Sequence, residues 1–373
     1  MLPDISLWDV YAPIYRAMES CVDFDPLVVA FERVDITGDT TEQEVQSFFK
    51  ANGIRGSYSS KAESNTPLSN YQPDVVFYTL GTAAYPSAYK IEFTSRYCLT
   101  CYLSYGFLLV NEPEYQFGQS FHHAAWVIFA STLREKNEYD TRTKRLSSNS
   151  VITGYPKFDL YPPVPTVAPK KPCVIWAPHW TIGLIYPALN LGTFADIYQD
   201  MAALMKDYSH VDFLIRPHPN LRYACQETTF MNNATYDKYM TDLAAMPNVS
   251  IMHDGNNVDK FITSSAMVTD SVSFLAEYLP STRPLLFLDR KDRAFFSGAG
   301  ESIIAAHYTG KTIGDIKGFI DEVVINRDDP KVSLRSSAMK HGLNIGANSA
   351  TSKILGYLTR SLGLPKHTNN IDG

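Results

Sequence analysis

An α/β fold built on parallel sheets is what this 373-residue sequence predicts. Short apolar runs recur along the chain, helix-period patterns lie between many of them, and a proline-dense segment separates two halves of similar style. Apolar runs fit strands buried on both faces of a parallel sheet, and the amphipathic stretches fit the crossovers that cover it. Hydrophobic residues at 45% and charged residues at 19% suit a globular chain with a sizeable core.

In order, PLVVAF (26–31), DVVFYTL (74–80), YCLTCYLSYG (97–106), AAWVIFAST (124–132) and SVITGYP (150–156) read as strands of the first half. The polar segment 52–70 reads as a loop. YPPVPTVAPKKP (161–172) holds five prolines in twelve residues and reads as an interdomain linker. Beyond it, CVIWAP (173–178), DFLIRPHP (212–219), VSIMHD (249–254), AMVTD (266–270) and PLLFLD (284–289) read as strands, with helices at 194–208 and 235–246. The expected architecture is two Rossmann-like domains, 1–165 and 166–350, with parallel sheets facing across a ligand cleft. Residues 351–373 are expected as a C-terminal helix of the kind that can cross back to the first domain.

The bulk numbers narrow the function. A net charge of −6 and a pI near 5.9 argue against a chain whose main task is gripping nucleic acid. No apolar run approaches membrane-spanning length, and MLPDISLWDVYAP lacks the layout of a signal peptide, so a cytoplasmic location is expected. SKILGYLTRSLGL (352–364) is mildly amphipathic and basic, suited to peripheral contact with the inner membrane face or to ordinary packing. Cys98 and Cys101 form a CxxC inside an apolar run without a second ligand pair, which points to reduced strand cysteines and no metal. No GxGxxG follows the first strand of either half, against a dinucleotide cofactor.

Chemistry is expected at strand ends, because ligands bind beyond the carboxyl ends of open parallel sheets. CVIWAP runs into His179 and Trp180, where Trp180 suits base stacking, an acceptor channel or rim packing. DFLI runs into Arg216 and His218, a guanidinium and an imidazole held between prolines and able to face one phosphate. AMV runs into Thr269, Asp270, Ser271 and Ser273, where a helix starting near Ser273 would offer backbone N–H groups and hydroxyls to an anion. Glu277, one turn on, suits ribose hydroxyls. Plain helix capping explains the Ser and Asp residues equally well.

WAPHWT (176–181), RPHP (216–219), TDSVSFLAEYL (269–279) and GYPKFD (154–159), in that arrangement, resemble segments of the CDP-glycerol glycerophosphotransferases, GT-B-fold enzymes that build teichoic acids and related capsule polymers. The resemblance covers most of residues 70–290. It implies a metal-independent transferase without a cofactor, which moves a polyol phosphate from a CDP-linked donor such as CDP-glycerol to a glycan or lipid-linked acceptor and releases CMP. Arg216, His218, Ser271 and Ser273 would hold the donor diphosphate. The family's His-Gly-Thr-Pro-Leu-Lys segment, whose histidine is thought to act as base, is replaced here by YLSYGF (102–107). The base is therefore open among His122, His123, Tyr105 and Glu114, the two histidines reading equally well as strand-start polar residues. Alternatives are a glycosyltransferase using a UDP-sugar or a CMP-Kdo-type donor, a sugar-nucleotide epimerase, and a non-catalytic homologue.

Overall fold

The computed structural model describes residues 1–33, 41–60, 68–143, 147–162, 169–183, 185, 189–252, 257–343 and 349–365. The central part of the proline-rich segment, 163–168, lies outside the described residues, as do 253–254 of VSIMHD and 61–67 of the expected loop. The chain divides into two compact units. One comprises 1–105, 113–160 and 344–373, the other 106–112 and 161–343.

In the first unit the strands are β1 (Val28–Phe31), β2 (Gly56–Ser59), β3 (Val75–Tyr78), β4 (Leu99–Leu103), β5 (Val127–Ala130) and β6 (Ser150–Ile152). β1 and β2 pair in parallel, and a second parallel sheet runs β3-β4-β5-β6. The segment 52–70 is thus not all loop. Gly56–Ser59 aligns with Val28–Phe31 residue for residue, a pairing that its polar side chains conceal. Cys101 is buried in β4 and Cys98 lies just before it; both are free thiols, with burial raising their pKa values, that of Cys98 to about 11.

The helix Ala350–Ser361 belongs to this unit and buries Ala350, Thr351, Ile354 and Leu358. Spacings of three and four place these on one face, so the apolar side of the amphipathic pattern serves packing. GYPKFD explains how the helix is held. Gly154 takes φ +94°, a left-handed conformation that suits glycine, and its Cα passes close to the Ala350 side chain. Tyr155 donates its hydroxyl to the Tyr105 carbonyl at 2.6 Å. Asp159 accepts from the backbone N–H of Ala350 (3.0 Å) and of Thr351 (2.7 Å), occupying the N-terminus of the helix with a carboxylate.

The second unit holds one six-stranded parallel sheet. Its strands are β7 (Cys173–Ala177), β8 (Asp212–Ile215), β9 (Val249–Ile251), β10 (Ala266–Thr269), β11 (Leu285–Leu288) and β12 (Tyr308–Gly310), in the order β12-β11-β10-β7-β8-β9. The chain builds outward from β7 through β8 to β9, then returns to β10 on the other side of β7 and builds outward again. β12, three residues long with one buried, carries too little apolar pattern to be read from sequence. The helix Phe194–Asp207 buries Phe194, Ile197, Met201, Leu204 and Met205, an i, i+3, i+7 stripe against the sheet. Among the described residues no helix is long and apolar enough to cross a membrane.

Candidate functional site

The reversal of strand order between β7 and β10 is a topological switch point, and the carboxyl ends of the strands there are the usual ligand position in a doubly wound sheet. The segments singled out from the sequence follow β7, β10 and β8, so three of the four central strands deliver their polar ends to this place.

His179 and Trp180 follow β7, and His218 follows β8. The His179 and His218 rings lie 5.2 Å apart, centroid to centroid, and Trp180 lies 6.0 Å from each. His218 is anchored through its backbone N–H to the Pro178 carbonyl (3.0 Å), and its Nδ1 accepts from the Asn220 N–H (3.1 Å). His179 Nδ1 is bound by the Thr181 hydroxyl at 2.9 Å. That hydroxyl accepts from the N–H groups of Leu191 (2.9 Å) and Gly192 (3.1 Å), so its own proton goes to the imidazole. The network assigns the Nε2–H tautomer to neutral His179, and to His218 by the same reasoning when its ring is neutral. Burial lowers the His179 pKa to about 3 from 6.5, which keeps the ring uncharged near neutral pH. Gly192 permits the close approach of this loop, because a Cβ there would stand 2.8 Å from the Thr181 carbonyl oxygen.

Asp270 and Thr269 have a different place from the one expected. The Asp270 carboxylate accepts from the backbone N–H of His179 (2.6 Å), the backbone N–H of Thr193 (2.6 Å) and the Thr193 hydroxyl (2.8 Å). It is 1% exposed and does not cap the helix that follows it. Burial raises its pKa, and the bonds from Thr193 and His179 oppose that rise. Asp270 is therefore a strut joining the β7 loop, the β10 end and the start of Phe194–Asp207. Thr269, fully buried, donates to the Ala177 carbonyl (2.7 Å) and accepts from the Ser271 N–H (3.0 Å). Neither residue has the exposure a phosphate ligand requires.

Ser271 and Ser273 bring their hydroxyls to 3.3 Å at the start of the helix Val272–Glu277. No side chain caps that helix. It is six residues long, so its hydroxyls rather than a long helix dipole are what it can offer. Arg216 is 9% exposed, its Nε donating to Asn257 Oδ1 and its guanidinium lying 5.0 Å from the Phe274 ring centroid. This ties β8 to the helix carrying Ser273, and Arg216 is no more buried than His179 and Ser271, each 6% exposed. Glu277 is 3% exposed, and its carboxylate and the Ser273 side chain both border the Cα of Gly106. Thr181, Thr193, Asn257 and Phe274 went unselected from sequence. Thr181 and Phe274 lie in quoted motifs, WAPHWT and TDSVSFLAEYL, and Thr193 and Asn257 come from segments with no signal of their own.

Tyr105, Glu114, His122 and His123 belong to the first unit. His122 and His123 sit in the short helix Ser120–Ala124, not at a strand start. His122 is fully buried among the rings of Tyr102, Phe121 and Tyr139, and burial lowers its pKa to about 3. Its Nδ1 accepts from the Gln119 N–H (3.2 Å), and its Nε2 has no hydrogen-bond partner among the described residues. With no access to solvent, His122 is a core residue and not a base. His123 is partly exposed. Tyr105 is 47% exposed, and Glu114 is an exposed ion-pair partner of Arg142.

The chain is an α/β protein of two units on parallel sheets, and comparison with solved structures gives it its fold class. Over 99% of this chain and 97% of the other, the fold is similar to S. aureus MnaA solved with UDP (TM-score 0.61, 16% identity). It is also similar to UDP-GlcNAc 2-epimerase from Neisseria meningitidis bound to UDP-GlcNAc (TM-score 0.59, 14% identity, covering 96% and 98%). The wall teichoic acid polymerase TagF matches with a TM-score of 0.61 and 11% identity, over 95% of this chain and 86% of that one. At these identities the likeness shows the fold: the protein has a GT-B fold. No protein-family model matches the chain, and no curated protein does.

Proposed function

We propose that the protein is a GT-B enzyme that binds a nucleoside-diphosphate-linked substrate at the β7–β10 switch point of its second unit. In this reading it transfers a polyol phosphate from a CDP-linked donor to a hydroxyl of a cell-surface glycan or lipid-linked acceptor. The observation that carries it is that the His179–His218 ring pair and the Ser271–Ser273 hydroxyl pair follow neighbouring strands, with the Asp270 carboxylate tying the two segments together. Two imidazoles with Nε2–H groups and two hydroxyls form a preorganised set of donors for a diphosphate, held by Thr181, Asn220 and Asp270. The acceptor oxygen bonds to the distal phosphorus as the bond from that phosphorus to the bridging oxygen breaks. CMP leaves with the bridging oxygen, whose charge the donor set stabilises. The acceptor proton goes to a base outside this set, and the burial of His122 removes it from the candidates.

The motifs WAPHWT, RPHP, TDSVS and GYPKFD support the CDP-linked donor. A second reading, an enzyme acting on a UDP-sugar, draws support from the likeness to chains solved with UDP and UDP-GlcNAc. Thermal-shift titration of the protein and of His218→Ala with CMP, CDP, CDP-glycerol, UDP, UDP-GlcNAc and GDP separates the two. The proposal expects stabilisation by cytidine nucleotides, with affinity about tenfold weaker in the variant, the scale of one lost phosphate hydrogen bond. Stabilisation by uridine nucleotides alone transfers the assignment to the second reading. No shift with any of them overturns both.

A further inference from the structure

Outside the switch-point site, the first unit has a cavity of about 410 Å³ between strand β6 and the helix Ala350–Ser361, lined by Val151, Ile152, Thr153, Ser352, Lys353, Gly356, Tyr357 and Arg360. β6 is the edge of its four-stranded sheet, so this side of the strand faces a helix rather than another strand. On the helix, Lys353, Gly356, Tyr357 and Arg360 follow the i, i+3, i+4, i+7 pattern and share one face. This is the half-exposed face, opposite in kind to the stripe of Ile354 and Leu358 that is wholly buried.

Two features of this face point to an anion. Some of the chain's cations carry a carboxylate partner, as Arg16, Arg55, Lys136, Arg142, Arg222 and Arg290 do. Lys353 and Arg360, in contrast, have no ion pair or side-chain hydrogen bond among the described residues, in a chain that is acidic overall. Two like charges turned into one cavity repel unless an anion joins them. Asp159, at the start of the helix, has both oxygens bound by backbone N–H groups. Gly356 also leaves a notch in the helix face. The Arg360 guanidinium folds back to lie 3.3 Å from where a Cβ at 356 would stand, so a larger side chain would compete with it for the cavity.

The rest of the lining limits what the anion is attached to. Val151, Ile152 and the Tyr357 ring form a partly apolar wall, and that ring is fixed against Trp126 and Phe129 at 5.7 Å each. Ser352, Thr153 and Tyr357 supply hydroxyls at the rim. A volume at the lower end of small-molecule sites, two cations, an aromatic wall and hydroxyls suit a phosphate ester of a sugar or polyol better than a bare ion. We infer that the cavity between β6 and the helix Ala350–Ser361 is a binding site for an organic phosphate, held by Lys353 and Arg360. The site lies within the first unit and does not depend on the reading of the second.

The phosphate ester can be a soluble metabolite or a lipid headgroup, and the test separates these sources. Full-length protein is titrated calorimetrically with glycerol 3-phosphate and glucose 6-phosphate, with glycerol and glucose as neutral controls. It is also sedimented with phosphatidylglycerol and phosphatidylcholine vesicles. Lys353→Gln and Arg360→Gln should each weaken binding about tenfold, and the double variant should abolish it. Gly356→Leu should abolish binding with both charges kept, and it favours the helix, so a folding failure is not its expected effect. Binding of the soluble esters that is lost in these variants assigns a metabolite. Loss confined to phosphatidylglycerol vesicles assigns a lipid headgroup. Binding undiminished in the double variant, or no binding by either class, overturns the inference.

Discussion

His122 in the first unit and His179 in the second are both buried, and burial lowers both pKa values to about 3. Their surroundings have little else in common. His122 stands in a ring of Tyr102, Phe121 and Tyr139 with its Nε2 unbonded among the described residues. His179 stands in a polar lattice in which Thr181 holds Nδ1, Asp270 holds the backbone N–H and His218 lies alongside. A depressed histidine pKa therefore does not by itself mark a working site. Each ring is held at Nδ1 by a backbone N–H, that of Gln119 for His122 and of Thr181 for His179; the Thr181 hydroxyl and the neighbouring His218 ring distinguish the two.

The strongest way to test that lattice is to remove its strut. Asp270→Ala leaves three buried donors, two of them backbone N–H groups, without an acceptor. A loss of about 3–5 kcal/mol in unfolding free energy is expected from denaturant titration, since each stranded buried donor costs on the order of 1–3 kcal/mol. Asp270→Asn keeps one carbonyl acceptor and turns the other oxygen into a donor, so its loss should be smaller. A loss below about 1 kcal/mol for the alanine variant would show that the loops hold without the carboxylate.

The first-unit histidine should respond mainly through pH. The unfolded chain protonates His122 near 6.5 and the folded chain only near 3, so unfolding takes up a proton between these values. The stability held by the neutral ring is complete above pH 6.5 and is lost as pH falls toward 3. The slope is about 1.4 kcal/mol per pH unit for each such histidine. His122→Phe should flatten the pH dependence of unfolding by about one proton, measured from pH 4 to 6.5, and change stability at pH 7 by about 1 kcal/mol or less. An unchanged slope would mean that this ring titrates normally. Nucleotide binding should be untouched, which separates this histidine from His218.

The smallest effect is expected at Glu114, an exposed partner of Arg142. Exposed pairs of this kind contribute little after solvent screening. Glu114→Gln should leave the denaturation midpoint in place; a clear drop would mean that the acid does more than pair on the surface.

Local patterns in the sequence determined the α/β class, ten of the strands and the three polar strand ends of the second unit, because apolar periodicity and turn chemistry act over a few neighbouring residues. The family resemblance, not a local pattern, picked out GYPKFD, whose Asp159 finds its partners 191 and 192 residues away. What the tertiary structure alone decided is which polar groups stay available. Asp270 looks like a ligand in sequence and is a brace in the fold, and His122 looks like a base and lies in an aromatic core. β2 was hidden by polar side chains and emerges only through its pairing with β1. The physical reason is common to these cases: a side chain's burial and hydrogen-bond partners are set by elements distant in the chain, and residue type and spacing do not encode which distant donor or ring will meet it.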